Sequence, residues 1–190
     1  MTSFVDSHCH INFPELYANI DTIFSKMTSN KVTHALCVSV TLDKFPDIFK
    51  IANTYPHIFA SVGVHPDYED IEEPTVEELC RYAKEKKVVA IGETGLDYFR
   101  LGTRSIADME WQRERFRTHI GAARRTGLPL IIHTRSASAD TLAMLREAGE
   151  DGSVGSAGGV FHCFTETAEV ARAALDLGFY ISFSGILTFK

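Results

Sequence analysis

Apolar residues gather along this chain in seven short runs, at 3–10, 32–41, 57–65, 87–94, 128–134, 158–164 and 179–184, each bounded by glycine, proline or polar residues. Runs of this length, rich in Val, Ile, Phe and Leu, predict strands. Between them the apolar spacing changes to three and four. Leu16, Ile20, Ile23, Phe24 and Met27 form one helical stripe, and Phe45, Ile48, Phe49 and Ala52 form another. Thr75 and Glu78 stand three apart, as in a capping box before a helix. The longest helix is predicted from about Asp108 to Thr126, with Gly127 placed to end it. Gly149 and Gly178 follow helical patterns in the same way.

Strand alternating with helix predicts βαβ units and a parallel sheet. In the third run, Ile58, Ala60, Val62 and Val64 share one face, suited to packing under helices. Phe59, Ser61, Gly63 and His65 share the other, which begins as core and ends in a titratable group. A barrel has this character, because its interior is packed and its chemistry sits at the C-terminal ends of the strands. A doubly wound open sheet usually carries a Gly-rich phosphate loop after strand one. Here Ile11-Asn12-Phe13-Pro14 follows instead, which speaks against that alternative. A TIM (β/α)8 barrel has eight strands in roughly 250 residues, whereas this chain of 190 shows seven. It is read as a single barrel-type domain over residues 1–190, with the last helix, strand and closing helix missing.

Composition narrows the setting. The chain is 45% hydrophobic and 23% charged, as in a soluble globular protein. No apolar run approaches the ~18–20 residues of a membrane span, and the N-terminus shows no secretory signal. Cys9, Cys37, Cys80 and Cys163 stand singly, without C-x-x-C spacing, which predicts four reduced thiols and a cytoplasmic protein. The net charge of −6 argues against a binder that coats phosphates, yet it does not exclude a nuclease. Two bound divalent ions would reverse the sign locally.

The chemistry lies at the strand ends. His8 and His10 project to the same side of strand one, Glu93 closes the fourth run, and His133 and His162 close the fifth and sixth. Singly, each has a bland reading: a His-X-His pair arises by chance, a histidine after a strand is often a loop residue, and a glutamate can cap the next segment. Jointly they point to a metal-dependent hydrolase. His8 and His10 form one cluster, His133 and His162 another, and the two oxygens of Glu93 suit a bridge between two ions. Mixed imidazole and carboxylate ligation is compatible with Zn²⁺, Mn²⁺ or Mg²⁺.

Other groups remain open in role. His65 either touches substrate or supports a ligand, and Asp6 hydrogen-bonds behind the His8 cluster. Asp97 orients a ligand or holds a loop. Arg135 meets a phosphate or an acidic neighbour. Tyr98, Phe99 and Arg100 either stack on a base or simply pack. His34 and His57 sit at strand beginnings and read as structural. His119, mid-helix, is expected at the surface or half-buried.

Five runs then occur in order: Val5-Asp6-Ser7-His8-Cys9-His10, Gly63-Val64-His65-Pro66, Gly92-Glu93-Thr94-Gly95-Leu96-Asp97-Tyr98, Ile132-His133-Thr134-Arg135 and His162-Cys163-Phe164-Thr165. Over its whole length the chain resembles TatD-type metal-dependent deoxyribonucleases of the amidohydrolase-like barrel superfamily. The resemblance implies that His8, His10 and Glu93 hold one divalent ion, that Glu93, His133 and His162 hold a second, and that DNA is the substrate. On that reading Glu93 is also catalytic, while His65, Arg135, Asp97 and Tyr98 face the DNA. The family carries a further aspartate at the end of strand eight, beyond the seven strands counted here. Two alternatives stand beside it: hydrolysis of a small cyclic amide or lactone, or an inactive fragment. Related amidohydrolases often bridge their ions with a carboxylated lysine on strand four; Glu93 in that place favours phosphodiester chemistry. No membrane and no stable protein partner are expected.

Overall fold

The structure, a computed structural model, describes residues 2–189. All seven predicted strands form: β1 (Phe4–Cys9), β2 (Val32–Cys37), β3 (Ile58–Val62), β4 (Val88–Asp97), β5 (Leu130–Arg135), β6 (Gly159–Phe161) and β7 (Phe179–Ile181). Every neighbouring pair is parallel, and the order in the sheet is the order in the chain. Sequential parallel neighbours require each crossover to return on the same side, so the sheet curls in one sense, as in a barrel wall. Among the described residues β1 and β7 are its two edges.

The crossovers are helical: α1 (Pro14–Tyr17) and α2 (Ile20–Ser29), α3 (Phe45–Thr54), α4 (Val76–Tyr82), α5 (Glu110–Thr126), α6 (Ser138–Glu147) and α7 (Ala168–Asp176). Thr75 Oγ accepts from the Glu78 N–H at 3.1 Å and so caps α4, as its spacing predicts. Gly127 ends α5 in the left-handed region, at φ 70°. The predicted start of α5 at Asp108 is instead a 3-10 turn over Ile106–Met109, opened by a capping box between Ser105 and Asp108.

The face of β3 assigned to the helices is fully buried at Ile58, Ala60, Val62 and Val64. Ile58, Ala60 and Val62 join Ile48 of α3, Leu79 of α4, and Phe116 and Ile120 of α5 in one continuous core. One strand differs usefully from its neighbours. β4 is longer than predicted and runs on to Asp97, whereas β3 last pairs with it at Val62↔Ile91. The C-terminal half of β4 therefore stands above β3 and carries Glu93 and Asp97 into the mouth of the sheet.

One expectation is overturned. His119 is fully buried rather than superficial. It lies on a polar stripe of α5 that periodicity alone assigns to water, but that stripe is turned inward and satisfied by loop backbone.

Candidate metal centre

Glu93 is delivered by a close approach of two backbones. A Cβ on Gly63 would stand 2.6–2.8 Å from the backbone of Gly92, nearer than real contacts allow, so only glycine lets β3 and β4 meet here. Two buried serines lock the crossing. Ser61 Oγ donates to the Gly92 carbonyl at 2.6 Å, Ser39 Oγ donates to the Gly63 carbonyl at 3.0 Å, and the Glu93 N–H donates to the Ser39 carbonyl at 2.8 Å. The carboxylate is thus buried and held from beneath, with its oxygens aimed into the mouth.

Those two oxygens face different histidines. Oε2 lies 3.2 Å from His8 Nε2 and 4.0 Å from His10 Nε2, and the two imidazole nitrogens are 3.2 Å apart. Oε1 lies 3.4 Å from His133 Nδ1 and 3.7 Å from His65 Nε2. Ligand atoms each about 2.0–2.2 Å from one tetrahedral ion stand roughly 3.3–3.6 Å from one another, and the edges of the first triangle, 3.2, 3.2 and 4.0 Å, lie around that range. His162 follows β6 directly, and its ring stacks on that of His8 with centroids 3.3 Å apart. It groups with His8 and Glu93, whereas His65, Glu93 and His133 form the second compact set. The sequence pairs His162 with His133; the folded chain brings His65 to that side instead.

Second partners orient the rings. His10 Nδ1 faces the Val38 carbonyl at 3.3 Å, which frees Nε2 for an ion. His133 Nε2 faces Asp97 Oδ2 at 3.0 Å, which frees Nδ1. A metal-binding imidazole commonly donates its other N–H to a carbonyl or carboxylate in this way. His8 Nδ1 and His162 Nδ1 are buried with no hydrogen-bond partner. An orphaned nitrogen is costly in a finished core, and a divalent ion is a group that the His162 imidazole in this cluster is fit to meet. On His8 it is the other nitrogen, Nε2, that faces Glu93 and is placed for an ion.

Protonation agrees with this. Burial pushes His65 and His162 down to about 4, and burial with the neighbouring His8 lowers His10. At neutral pH these rings are uncharged, the form that can bind metal. Burial works to raise Glu93, but hydrogen bonds with His133 and His8 outweigh it and hold the carboxyl well below its usual range. Burial lowers His133, and Asp97 and Glu93 overcome that, leaving it raised to about 9. A metal ion at Nδ1 would replace the proton that His133 shares with Glu93.

The residues expected to face substrate divide. Arg135 is exposed, its guanidinium 3.6 Å over the ring of Phe99, which is itself 56% exposed. Tyr98 is placed otherwise than predicted: only 5% exposed, it hydrogen-bonds to Asp140 at 2.8 Å and to Arg113 at 3.0 Å. Tyr98 directly follows β4 and is turned inward, whereas Phe99, in the turn beyond it, is left outside. Asp97 is likewise buried, spent on His133 and on the Phe99 N–H at 2.9 Å rather than on the exterior. Asp6 is exposed and accepts the His8 N–H at 3.0 Å, and His34 and His57 lie at the opposite end of the sheet. Sequence reasoning missed Ser39, Ser61 and Gln112. Their only signal is polarity at positions where strand or helix period places apolar neighbours.

The family model described as TatD related DNase matches residues 5–190. The chain is similar to the uncharacterized metal-dependent hydrolase YcfH of Escherichia coli K12, with 42% identity over 189 residues, 98% of this chain and 68% of that one. It is 31% identical over 166 residues to the 3'-5' ssDNA/RNA exonuclease TatD of Escherichia fergusonii, covering 87% of this chain and 61% of that one. Among solved structures, YjjV, a TatD homologue of Escherichia coli K12, superposes with a TM-score of 0.85 at 25% identity, covering 98% of this chain and 70% of that one.

Proposed function

This chain belongs to the TatD related DNase family, and from that premise we propose that it hydrolyses DNA phosphodiester bonds at a centre of two divalent ions bridged by Glu93. The observation that carries the reading is the division of Glu93's oxygens, Oε2 towards His8 and His10, Oε1 towards His133 and His65. Zn²⁺, Mn²⁺ and Mg²⁺ all suit this donor set. When bound, such ions supply a water acidified towards neutral pH and positive charge for the phosphate oxygens.

The chain's own residues do the rest. His8, His10, His133 and His162 hold the ions with Glu93, and Asp97 keeps the His133 ring turned so that Nδ1 points at the centre. His65, 3.7 Å from Glu93 Oε1, is close enough to meet either an ion or a phosphate oxygen. Arg135 offers the exposed positive charge for the next phosphate, and Phe99 beneath it offers a face on which an unpaired base can stack. The similarity to a protein named as a 3'-5' ssDNA/RNA exonuclease supports single-stranded nucleic acid as the substrate. Residues 1–190 act as one barrel-type domain carrying this centre. The four free cysteines suit a reducing, cytoplasmic setting.

A side-by-side assay with single-stranded DNA and a cyclic amide, each with added Mn²⁺ or Mg²⁺, tests the reading. Metal-dependent release of nucleotides is expected. Turnover of the amide alone would replace the nuclease reading with amidohydrolase chemistry.

A further inference from the structure

Helix α5 turns a polar stripe, not only an apolar one, towards the sheet. Gln112, Arg115 and His119 stand at i, i+3 and i+7 and are all buried. Burying an amide, a guanidinium and an imidazole on one helix face is costly unless each is satisfied. Each is, chiefly by the backbone of the loops after β3 and β4. His119 Nε2 accepts the Val64 N–H at 3.0 Å while Nδ1 faces the Arg115 carbonyl at 2.8 Å. Arg115 donates to the carbonyls of His65 at 3.0 Å and Tyr68 at 2.8 Å, and pairs with Glu73.

Gln112 does something more particular. Asp97 has Arg135 of β5 as its register partner on one side, but β3 has already ended on the other. There the Gln112 amide takes the strand's place. Its Oε1 accepts the Asp97 N–H at 2.9 Å and its Nε2 donates to the Asp97 carbonyl at 3.1 Å, as a peptide unit in a ladder would. Its other N–H goes to the Pro66 carbonyl at 3.1 Å, next to His65. One side chain therefore ties together the loop that carries His65 and the strand end that carries Asp97, the carboxylate lying 3.0 Å from His133.

We propose that Gln112 is a positioning residue for the centre: it fixes Asp97 and His65 relative to each other and, through Asp97, sets the ring of His133. The inference rests on the reading of the Glu93 cluster as a metal centre. It goes beyond that reading by placing control of the ligands on a helix that contributes none.

The test compares Gln112→Met, of similar length but without hydrogen bonds, with Ile120→Ala, a core truncation on the same helix. Mn²⁺ and Zn²⁺ dissociation constants are measured by competition with a chelating dye, alongside thermal midpoints. Gln112→Met should bind metal about tenfold more weakly or worse, the scale on which partners of metal ligands act. Gln112→Glu keeps the acceptor but turns both donors into acceptors facing carbonyls, so it should not rescue. Ile120→Ala should lower the midpoint yet hold metal as the parent does. Wild-type affinity in Gln112→Met, or equal loss in Ile120→Ala, would overturn the proposal while leaving the metal centre intact. A parent chain that binds neither ion overturns both.

Discussion

Asp97 and His133 form a carboxylate–imidazole pair, Oδ2 to Nε2 at 3.0 Å, and the opposite nitrogen of the same ring stands 3.4 Å from Glu93 Oε1. The carboxylate selects which nitrogen carries the proton and which is offered to an ion. Asp97→Asn keeps the shape and removes the charge. Metal affinity should fall roughly 10–100-fold with the fold preserved. In the metal-free protein the His133 titration should move down from about 9, because one of the two groups that raise it is neutralised. Dye competition and histidine NMR measure the two effects. Unchanged affinity would remove Asp97 from the site.

Much of this was legible in the chain. Period-two runs located every strand, and residues that a buried strand does not need marked four of the strand ends. The mouth itself was less legible. His162 follows β6 by one residue, so its ring turns towards His8 rather than His133, and parity within the run could not show that. His119 reads as a surface or half-buried side chain, and Gln112 gives no signal, because helical period reports polarity, not whether loop carbonyls and amides wait on the other side. Ser39 and Ser61 lie within β-rich runs where nothing distinguishes a buried hydroxyl lock from an ordinary serine.

The β3–β4 crossing sets the position of Glu93. Gly63→Ala would place a methyl 2.6–2.8 Å from the Gly92 backbone and force the strands apart. The expected result is a loss of a few kcal/mol in stability, in the range of overpacked cores of ~1–3 kcal/mol, together with loss of metal binding. Urea unfolding and elemental analysis check it. A stable variant with normal metal content would show that the close approach is dispensable.

His119 makes stability depend on pH. Burial lowers it from 6.5 to about 4 in the folded chain. Below about pH 6.5 the unfolded chain binds this proton while the folded one refuses it until about 4. The contribution of each such histidine should therefore be flat above that window and fall through it as the pH drops, by ~1.4 kcal/mol per pH unit. His65 and His162, also lowered to about 4, share the window. His119→Gln should make the slope shallower by about one proton, as read from urea midpoints of metal-free protein between roughly pH 4.5 and 7. An unchanged slope would contradict the buried, neutral imidazole.

Substrate contact should separate neighbouring residues. Arg135→Ala should weaken binding of single-stranded DNA and reduce its dependence on salt by about one phosphate contact. Phe99→Ala should cost about 1–3 kcal/mol if a base stacks there. Tyr98→Phe should leave DNA affinity unchanged, since its hydroxyl is spent on Asp140 and Arg113. Fluorescence anisotropy at several salt concentrations distinguishes the three.

Glu93 is proposed to serve two ions at once, since each of its oxygens faces its own histidine set. Metal content of the Glu93→Ala variant, compared with the parent by elemental analysis after dialysis against limiting Mn²⁺ or Zn²⁺, tests it most directly. The parent should retain two ions per chain and the variant should lose both positions together, with His34→Ala unchanged as a control. A variant that keeps the parent's metal content, or loses one ion and holds the other at full affinity, would contradict the bridge.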